Sequence, residues 1–199
     1  MTNTLEKAII TEAEKHNGTI KTSQIEGIGV PRRVIRNLVD KGTLVRESRG
    51  IYTVPAIAPD EYAVIQKRTD KLIFSYGTAL FFHGISDRVP HIIDVTVPQG
   101  YNASRIKNTC DNLRFHYVKP ELLSVGAVEI LTPQGSKVTA YNKERCICDL
   151  IKDRNRIDKQ VFTQAIREFF TSEYKPRDIL KTARLIGVES EVRKYMEVL

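Results

Sequence analysis

Polar and apolar residues recur with the period of an α-helix over the first 17 positions of the chain. The apolar members of this pattern are Leu5, Ala8, Ile9 and Ala13. Their spacing predicts one buried helical face, and Thr4 is placed to cap the start of the helix. Asn17 and Gly18 are typical of a helix end. An extended piece follows, and then a brief second helix that we expect to end at Gly27 or Gly29.

A third helix is predicted to start at Pro31 and to end at Gly42, because proline suits the first helical turn and glycine stops helices. On a helical wheel, residues 32–40 divide into an apolar and a polar side. The apolar side contains Val34, Ile35, Leu38 and Val39, and the polar side contains Arg33, Arg36, Asn37 and Asp40, with Arg32 at the border. Burial of the apolar side against the first two helices would hold the arginines outward.

Residues 43–54 predict a β-hairpin. Its arms are "TLVRE" and "IYTVP", and its tip is "SRG", where Gly50 relieves the turn. The residues expected to pack are Leu44, Ile51, Tyr52 and Val54. Three helices, a short strand and a hairpin in this order predict a winged helix-turn-helix. In that fold the third helix enters the major groove of DNA, and the hairpin touches the neighbouring backbone or the minor groove.

The polar residues of this segment suit DNA. Arginine can form two hydrogen bonds with guanine or with phosphate, Asn37 can pair with adenine, and the basic residues of the hairpin and its edges can contact phosphates. The predicted DNA-binding residues are Lys21, Ser23, Gln24, Arg32, Arg33, Arg36, Asn37, Lys41, Arg46 and Arg49. Two alternatives stay open: a basic helix face can be merely solvated, and winged helices also dock proteins. Asp40 lies on the same face and would repel a phosphate placed directly beneath it.

The segment "PAIAPD" carries two prolines and is typical of a connector. It predicts two domains, a winged helix-turn-helix at 1–57 and a second domain at 58–199. In the second domain we expect helices near Tyr62, at 78–82 and in "RIKNTC", and strands at 91–98, at 113–118 and on both sides of Gly135. The chain is predicted to be helical from Lys143 onward, with breaks near Asn155, Pro176 and Gly187. The fold class is therefore α+β, with a larger mixed α/β C-terminal domain.

Composition excludes some classes of protein. The net charge of +7 favours an anionic partner, and no segment approaches the roughly 20 apolar residues of a membrane helix. The start, "MTNTLEKAII", has no secretory signal. Cys110, Cys146 and Cys148 form neither an even disulfide set nor a zinc pattern. We therefore expect a cytoplasmic protein with reduced thiols and no membrane partner.

No catalytic set is evident in the second domain. Ser75, His83 and Asp94 have the residue types of a nucleophile, a base and an orienting acid, but no nucleophile-elbow glycines surround the serine. The remaining histidines, His16, His91 and His116, do not have the spacing of a metal site with His83 or with one another. We expect no catalytic residue, no metal and no cofactor, and we expect His83 to have a structural role near a helix end.

The segment "YNKERCICDLIKDRNRID" at 141–158 predicts a helix capped by Asn142, with an apolar stripe. Arg145 and Asp149 are four residues apart, which predicts an ion-paired helix surface. Two further sets of basic residues have no assigned role. The first is the basic patch Lys152, Arg154 and Arg156, and the second is the late-helix group Lys175, Arg177, Lys181 and Arg184.

The order of these motifs resembles the AbiEi family, antitoxins of type IV bacterial toxin–antitoxin systems first known from phage abortive infection. The segments that carry the resemblance are the N-terminal winged helix, "SYGTALFFHGISDRVP", "DVTVP" and "YNKERCICDLIKD". The family pattern Ser-x-x-x-Ala-Leu-x-x-His-Gly is matched by Ser75, Ala79, Leu80, His83 and Gly84, and Glu-Arg-x-x-x-Asp-Leu by Glu144, Arg145, Asp149 and Leu150. Cys146 stands where relatives often have threonine.

The resemblance implies a protein that represses its own operon by binding inverted repeats in double-stranded promoter DNA. Its C-terminal domain would help to counter a nucleotidyltransferase toxin, AbiEii, without a stable complex, and the protein would be a monomer that binds DNA cooperatively. Two rivals stay open. One is a ligand-responsive regulator whose residues 60–199 form a sensor, and the other is a nuclease or nucleotide-processing enzyme with a DNA-targeting arm.

Overall fold

The computed structural model describes residues 2–57, 59–108 and 110–199. The chain forms two compact units. Unit 1 contains Met1–Asp70 and Leu131–Val138, and unit 2 contains Lys71–Ile130 and Thr139–Leu199. None of the helices in the described part of the chain is long and apolar enough to cross a membrane.

The described part of unit 1 between residues 2 and 66 contains four helices and three short strands. The elements are α1 (Thr2–Glu14), β1 (Thr19–Lys21), α2 (Thr22–Gly27), α3 (Arg32–Asp40), β2 (Val45–Ser48), β3 (Ile51–Thr53) and α4 (Glu61–Gln66). The three strands form an antiparallel sheet in the order β1-β3-β2. This is the arrangement of a winged helix-turn-helix, in which β2 and β3 form the wing, so the predicted fold of the N-terminal region is confirmed.

The apolar residues of α1, α2, α3 and the wing meet in one core. Its fully buried side chains include Ile9, Ile20, Ile25, Leu38 and Leu44. The helical wheel of α3 is confirmed, because Ile35 and Leu38 are buried, and Val34 and Val39 are half-buried against the same core. Tight association of these faces fixes the orientation of α3, since a packed core tolerates little movement.

Three details of the predicted helices are wrong. Thr4 does not cap α1, because the helix already begins at Thr2. Ala8 is exposed, and the half-buried Ile10 packs against the core instead, so the buried face of α1 is rotated from the predicted one. Pro31 is the residue before the first turn of α3, not its first residue.

A second segment of the chain completes unit 1. Asn17 is in the left-handed region (φ 48°), and its side-chain amide donates to the Gln134 carbonyl and to the Ser136 hydroxyl, both at 2.8 Å. The fully buried Asp60 caps α4 and accepts a hydrogen bond from the hydroxyl of Thr132. Hydrogen bonds between residues far apart in the chain therefore tie the segment 131–138 to the turn after α1 and to the start of α4. The predicted domain boundary at 57/58 stays a prediction.

Unit 2 is built on a mixed five-stranded sheet in the order β6-β5-β4-β8-β7. The strands are β4 (Ile73–Phe74), β5 (Ile93–Pro98), β6 (Leu113–Val118), β7 (Ala127–Leu131) and β8 (Lys137–Tyr141). β5 pairs in parallel with β6 and antiparallel with β4, and β4 pairs in parallel with β8. The strands at 91–98, at 113–118 and around Gly135 were predicted, whereas the two-residue β4 at the centre of the sheet was missed. The α+β class is confirmed.

Among the described residues between the strands of unit 2 are the short helices α5 (Tyr76–Phe82) and α6 (Ser104–Lys107) and a 3₁₀ turn at Pro120–Leu122. Four more helices follow the sheet: α7 (Lys143–Lys152), α8 (Lys159–Thr171), α9 (Pro176–Ile186) and α10 (Glu189–Val198). The predicted helical half and its three breaks are confirmed.

α7 is the central helix of unit 2, and it differs from the expectation in one respect. All residues from Arg145 to Ile151 are buried. Asn142 caps the helix as predicted, since its side chain accepts a hydrogen bond from the Arg145 N–H at 2.9 Å. However, Arg145 and Asp149 are 0% and 4% exposed, so their ion pair lies inside the unit and not on a helix surface.

Candidate nucleic-acid interface

The polar side of α3 projects from unit 1. Arg33, Arg36 and Asn37 are exposed, while the residues between them on the helix pack into the core. Neither arginine forms a hydrogen bond or ion pair through its side chain within the described residues. Arg33 and Arg36 therefore present free guanidinium groups, each with five N–H donors in a planar fork that matches phosphate or a guanine edge.

Arg32, at the start of α3, is held differently. Its guanidinium forms an ion pair with Glu26 of α2, in which Nε donates to one carboxylate oxygen and Nη2 lies 3.4 Å from the other. The Arg32 side chain remains 75% exposed, and the carboxylate raises the pKa of the guanidinium above its usual value. The predicted role of Arg32 in DNA binding therefore requires exchange of Glu26 for an acceptor on the nucleic acid.

The predicted DNA-binding residues in and just before α2 differ in their exposure and in their hydrogen bonds within unit 1. Ser23 is exposed. The side chain of Gln24 accepts a hydrogen bond from the Lys21 N–H at 2.8 Å, and its amide lies 2.8 Å from Nε2 of His16. Gln24 thus caps its own helix, and Lys21, at the end of β1, is half-buried. Contacts of these residues with DNA stay a prediction.

The wing carries two arginines on exposed positions. Arg49 lies in the turn beside Gly50, whose φ of 79° is accessible to glycine at no steric cost, and the Arg49 side chain has no polar partner in the described chain. Arg46 on β2 donates weakly to the Ser48 carbonyl at 3.4 Å. A bulge between Arg46 and Ser48 increases the local twist of the wing.

The exposed surface made by α3, its end and the wing is called the basic surface below. Its members are Arg32, Arg33, Arg36, Asn37, Lys41, Arg46 and Arg49. Asp40 is also exposed, at the last turn of α3, and it is the one acidic residue of that helix. The surface can present several hydrogen-bond donors and a positive potential to a polyanion.

The candidate catalytic residues of unit 2 do not converge. His83 donates from Nε2 to the Tyr141 carbonyl at 2.8 Å, and burial lowers the pKa of the imidazole. Asp94 instead contacts His116, with its Oδ1 2.8 Å from Nε2. The buried hydroxyl of Ser75 accepts a hydrogen bond from the Thr96 hydroxyl at 2.9 Å. The serine, the histidine and the aspartate of the hypothetical triad therefore have three separate sets of partners.

In the residues that the structure describes, no group of three or more histidine, cysteine, aspartate or glutamate side chains is arranged to hold a metal ion.

The sequence did not predict a cavity of unit 2 that lies beside Tyr76, His116 and Arg145. Tyr76 is in the left-handed backbone region (φ 44°), which is uncommon for a residue with a bulky side chain. Its ring stacks on His116 with the centroids 3.9 Å apart. No sequence signal marks this contact, because the two residues are far apart in the chain and belong to different elements.

Unit 1 represents the class of winged helix-turn-helix modules with a basic third helix. Residues 7–55 match the model of the AbiEi_4 family, described as "Transcriptional regulator, AbiEi antitoxin". The AbiEi resemblance is thereby confirmed for this part of the chain, and the matched family is a regulatory one.

A solved structure extends the comparison to the whole chain. The crystal structure of the RV2827C protein from Mycobacterium tuberculosis matches with a TM-score of 0.53 and 12% sequence identity, over 98% of this chain and 81% of that chain. At this identity the similarity concerns the fold alone. No curated protein matches the sequence.

Proposed function

We propose that this protein is an antitoxin of a type IV toxin–antitoxin system that also represses its own operon. Unit 1 would bind inverted repeats in double-stranded promoter DNA, and the C-terminal region would help to neutralise a nucleotidyltransferase toxin of the AbiEii type. The protein would act in the cytoplasm as a monomer that binds DNA cooperatively, without forming a stable complex with the toxin. It would act by binding and not by catalysis.

One observation carries the DNA-binding part of the proposal. The apolar side of α3 is locked in the core of unit 1, and the opposite side holds Arg33 and Arg36 exposed and without partners in the described chain. A helix held in this way can insert its polar side into a major groove without further ordering. The family match over residues 7–55 supports the same role.

The DNA-binding experiment uses the full-length protein and a labelled duplex that contains the promoter. The double variant R33A/R36A should lose at least about 30-fold in affinity, because each specific contact contributes roughly 1–3 kcal/mol. The matched control is Lys7→Ala on α1 combined with Lys15→Ala just after that helix, since it removes the same charge from exposed positions outside the basic surface. A groove-reading role for α3 is wrong if R33A/R36A binds the promoter duplex like the control.

The antitoxin part is tested separately from repression. The toxin is expressed from an independent promoter, so that repression of the native operon cannot restore growth. Wild-type protein should restore growth, and R33A/R36A should still do so while losing repression of a promoter reporter. Failure of the wild-type protein to restore growth would remove the antitoxin assignment and leave a DNA-binding regulator.

A further inference from the structure

A cavity of about 360 Å³ lies within unit 2, between the end of β6 and the second half of α7. Small-molecule sites occupy roughly 300–1,000 Å³, so the volume suits a small ligand. The polar and aromatic side chains of its wall that matter here are Tyr76, His116, Arg145, Lys152, Asp153 and Arg156. None of them belongs to the basic surface of unit 1.

Arg145 in the wall of the cavity is completely buried and has one unused donor group. Its Nε lies 3.0 and 2.9 Å from the two carboxylate oxygens of Asp149. Its Nη1 donates to the Leu122 and Val125 carbonyls at 2.8 and 2.7 Å, and the guanidinium packs 4.1 Å from the centre of the Tyr141 ring. Nη2 has no hydrogen-bond partner within the described chain. Buried donors of charged groups are almost always satisfied, so the unpaired Nη2 makes this part of the wall polar and positively charged.

Two more cations line the same cavity. Lys152 is in the last turn of α7, and Arg156 is in the loop that follows. Both side chains are exposed, and neither forms a hydrogen bond or an ion pair in the part of the chain that the structure describes. The cavity thus combines one buried guanidinium with two free positive groups, which together favour a ligand with more than one negative charge.

The acidic residues of the wall already have partners. Asp149 is held by Arg145, and Asp153 accepts a hydrogen bond from the hydroxyl of Tyr76. The ion pair with Arg145 balances the charge of Asp149, whereas the hydroxyl of Tyr76 orients Asp153 without neutralising it. Three cationic side chains therefore face two carboxylates in the wall, so the wall keeps a positive balance.

The aromatic part of the wall is held rigidly. Tyr76 has a left-handed backbone (φ 44°), stacks on His116 and is tied to Asp153, while His116 in turn lies 2.8 Å from Asp94. Strained backbone held by several contacts is a feature of ligand sites, where it fixes the side chains before binding. The stack forms a fixed flat surface beside the cationic groups.

We propose that this cavity binds a small phosphorylated molecule. Its phosphate oxygens contact Lys152 and Arg156 at the opening, and the positive charge of the buried Arg145 in the wall adds to the attraction. Phosphate suits these groups better than a single carboxylate does, because it carries up to two negative charges and three acceptor oxygens on one centre. The inference does not depend on DNA binding by unit 1 or on a toxin.

The test measures binding of inorganic phosphate, pyrophosphate and glycerol phosphate to the full-length protein by calorimetry, at constant ionic strength adjusted with chloride. The double variant K152Q/R156Q removes the two exposed cations without touching the buried ion pair. The matched control is R154Q/K159Q, which removes the same charge from two exposed residues that do not line the cavity. The expected result is saturable binding that weakens at least about tenfold in K152Q/R156Q and little in the control.

Three results would overturn the proposal: the absence of saturable binding, equal binding by K152Q/R156Q and wild type, or equal losses in the two double variants. A fourth arm adds a short duplex that lacks the promoter sequence. If binding of this duplex requires Lys152 and Arg156 while the free phosphates do not bind, the cavity binds a phosphate group of nucleic acid. The small-ligand assignment is then wrong. Because R33A/R36A leaves the cavity intact, its phosphate binding should equal that of wild type.

Discussion

Arg32 on α3 is ion-paired with Glu26 on α2, so one arginine of the basic surface is already occupied by an acidic residue of the same unit. Its neighbours Arg33 and Arg36 have no such partner within the described residues. Binding a phosphate or a base therefore costs more free energy for Arg32 than for Arg33 or Arg36, because the ion pair of Arg32 with Glu26 must first break.

Removing that restraint should strengthen DNA binding. Glu26→Gln leaves the size of the side chain nearly unchanged and removes its negative charge from the edge of the basic surface. We expect affinity for the promoter duplex to rise about two- to fivefold, the range of a surface ion pair, measured by fluorescence anisotropy. Glu14→Gln on α1 is the control, because Glu14 is exposed and lies outside the basic surface. Unchanged or weaker binding by Glu26→Gln would contradict a role for the freed Arg32.

The wing should contribute mainly through phosphates. Arg49→Ala is expected to weaken binding to promoter and unrelated duplexes by the same factor. It should also lower the slope of log affinity against log salt by about 0.9, the value for one phosphate contact. Titrations at four salt concentrations give the slope, with Lys7→Ala as the control. A loss confined to the promoter duplex would show that Arg49 reads sequence.

The core under α3 should control the stability of unit 1. Leu38 is 0% exposed, so Leu38→Ala leaves a cavity among the core residues of α1, α2 and the wing. The expected loss is about 2–5 kcal/mol in the free energy of unfolding, measured by denaturant titration. Val45→Ala, at a position that is 46% exposed, should change it far less. Equal effects of the two substitutions would refute the packing of α3.

The three thiols should differ in reactivity. Burial raises the pKa of Cys148 to about 12 and that of Cys146 well above its usual value, and both thiols are inaccessible. Cys110 is half-buried. Native protein treated with iodoacetamide at pH 8 should therefore gain one adduct, at Cys110, and unfolded protein three, as measured by mass spectrometry. Rapid labelling of Cys146 or Cys148 in native protein would mean that α7 is not buried in solution.

The junction of α9 and α10 predicts a pH effect. Glu189 accepts hydrogen bonds from Arg184 and Arg193, which lower the pKa of its carboxyl group to about 2. The pKa of this carboxyl group is lower in the folded than in the unfolded protein, where it is about 4.3. The ion pair therefore stabilises the fold at pH values above about 4.3, and this stabilisation is lost as the pH falls toward 2. Glu189→Gln should lower the melting temperature slightly at pH 7, and the difference should disappear near pH 2. A constant difference over this range would exclude the ion pair as its cause.

The sequence allowed good prediction where periodicity and local turn signals coincide. The two sides of α3, the wing with its turn at Gly50 and the breaks among α7, α8, α9 and α10 all follow from residue spacing, capping and glycine. The chemical character of the basic surface was predictable for the same reason. An amphipathic helix that buries its apolar side exposes its polar side.

The errors have a physical origin as well. The two-residue β4 is too short for an alternating pattern, and its pairing with β5 and β8 is entirely non-local. The Arg145–Asp149 pair was predicted to lie on a surface because the spacing of residues in a helix identifies an ion pair but does not show whether it is buried. Its burial involves backbone carbonyls of residues 122 and 125, which accept hydrogen bonds from Arg145. The cavity beside Arg145 could not be predicted, since its wall combines residues from distant elements.

Because segment 131–138 belongs to unit 1, this unit cannot be separated from the rest of the chain by a single cut. A fragment that ends at residue 70 would leave the buried carboxylate of Asp60 without the hydroxyl of Thr132, and the Asn17 amide without its two acceptors. Truncation would thus weaken the module by removing these hydrogen bonds and uncovering Asp60, although every residue of α3 and the wing would still be present.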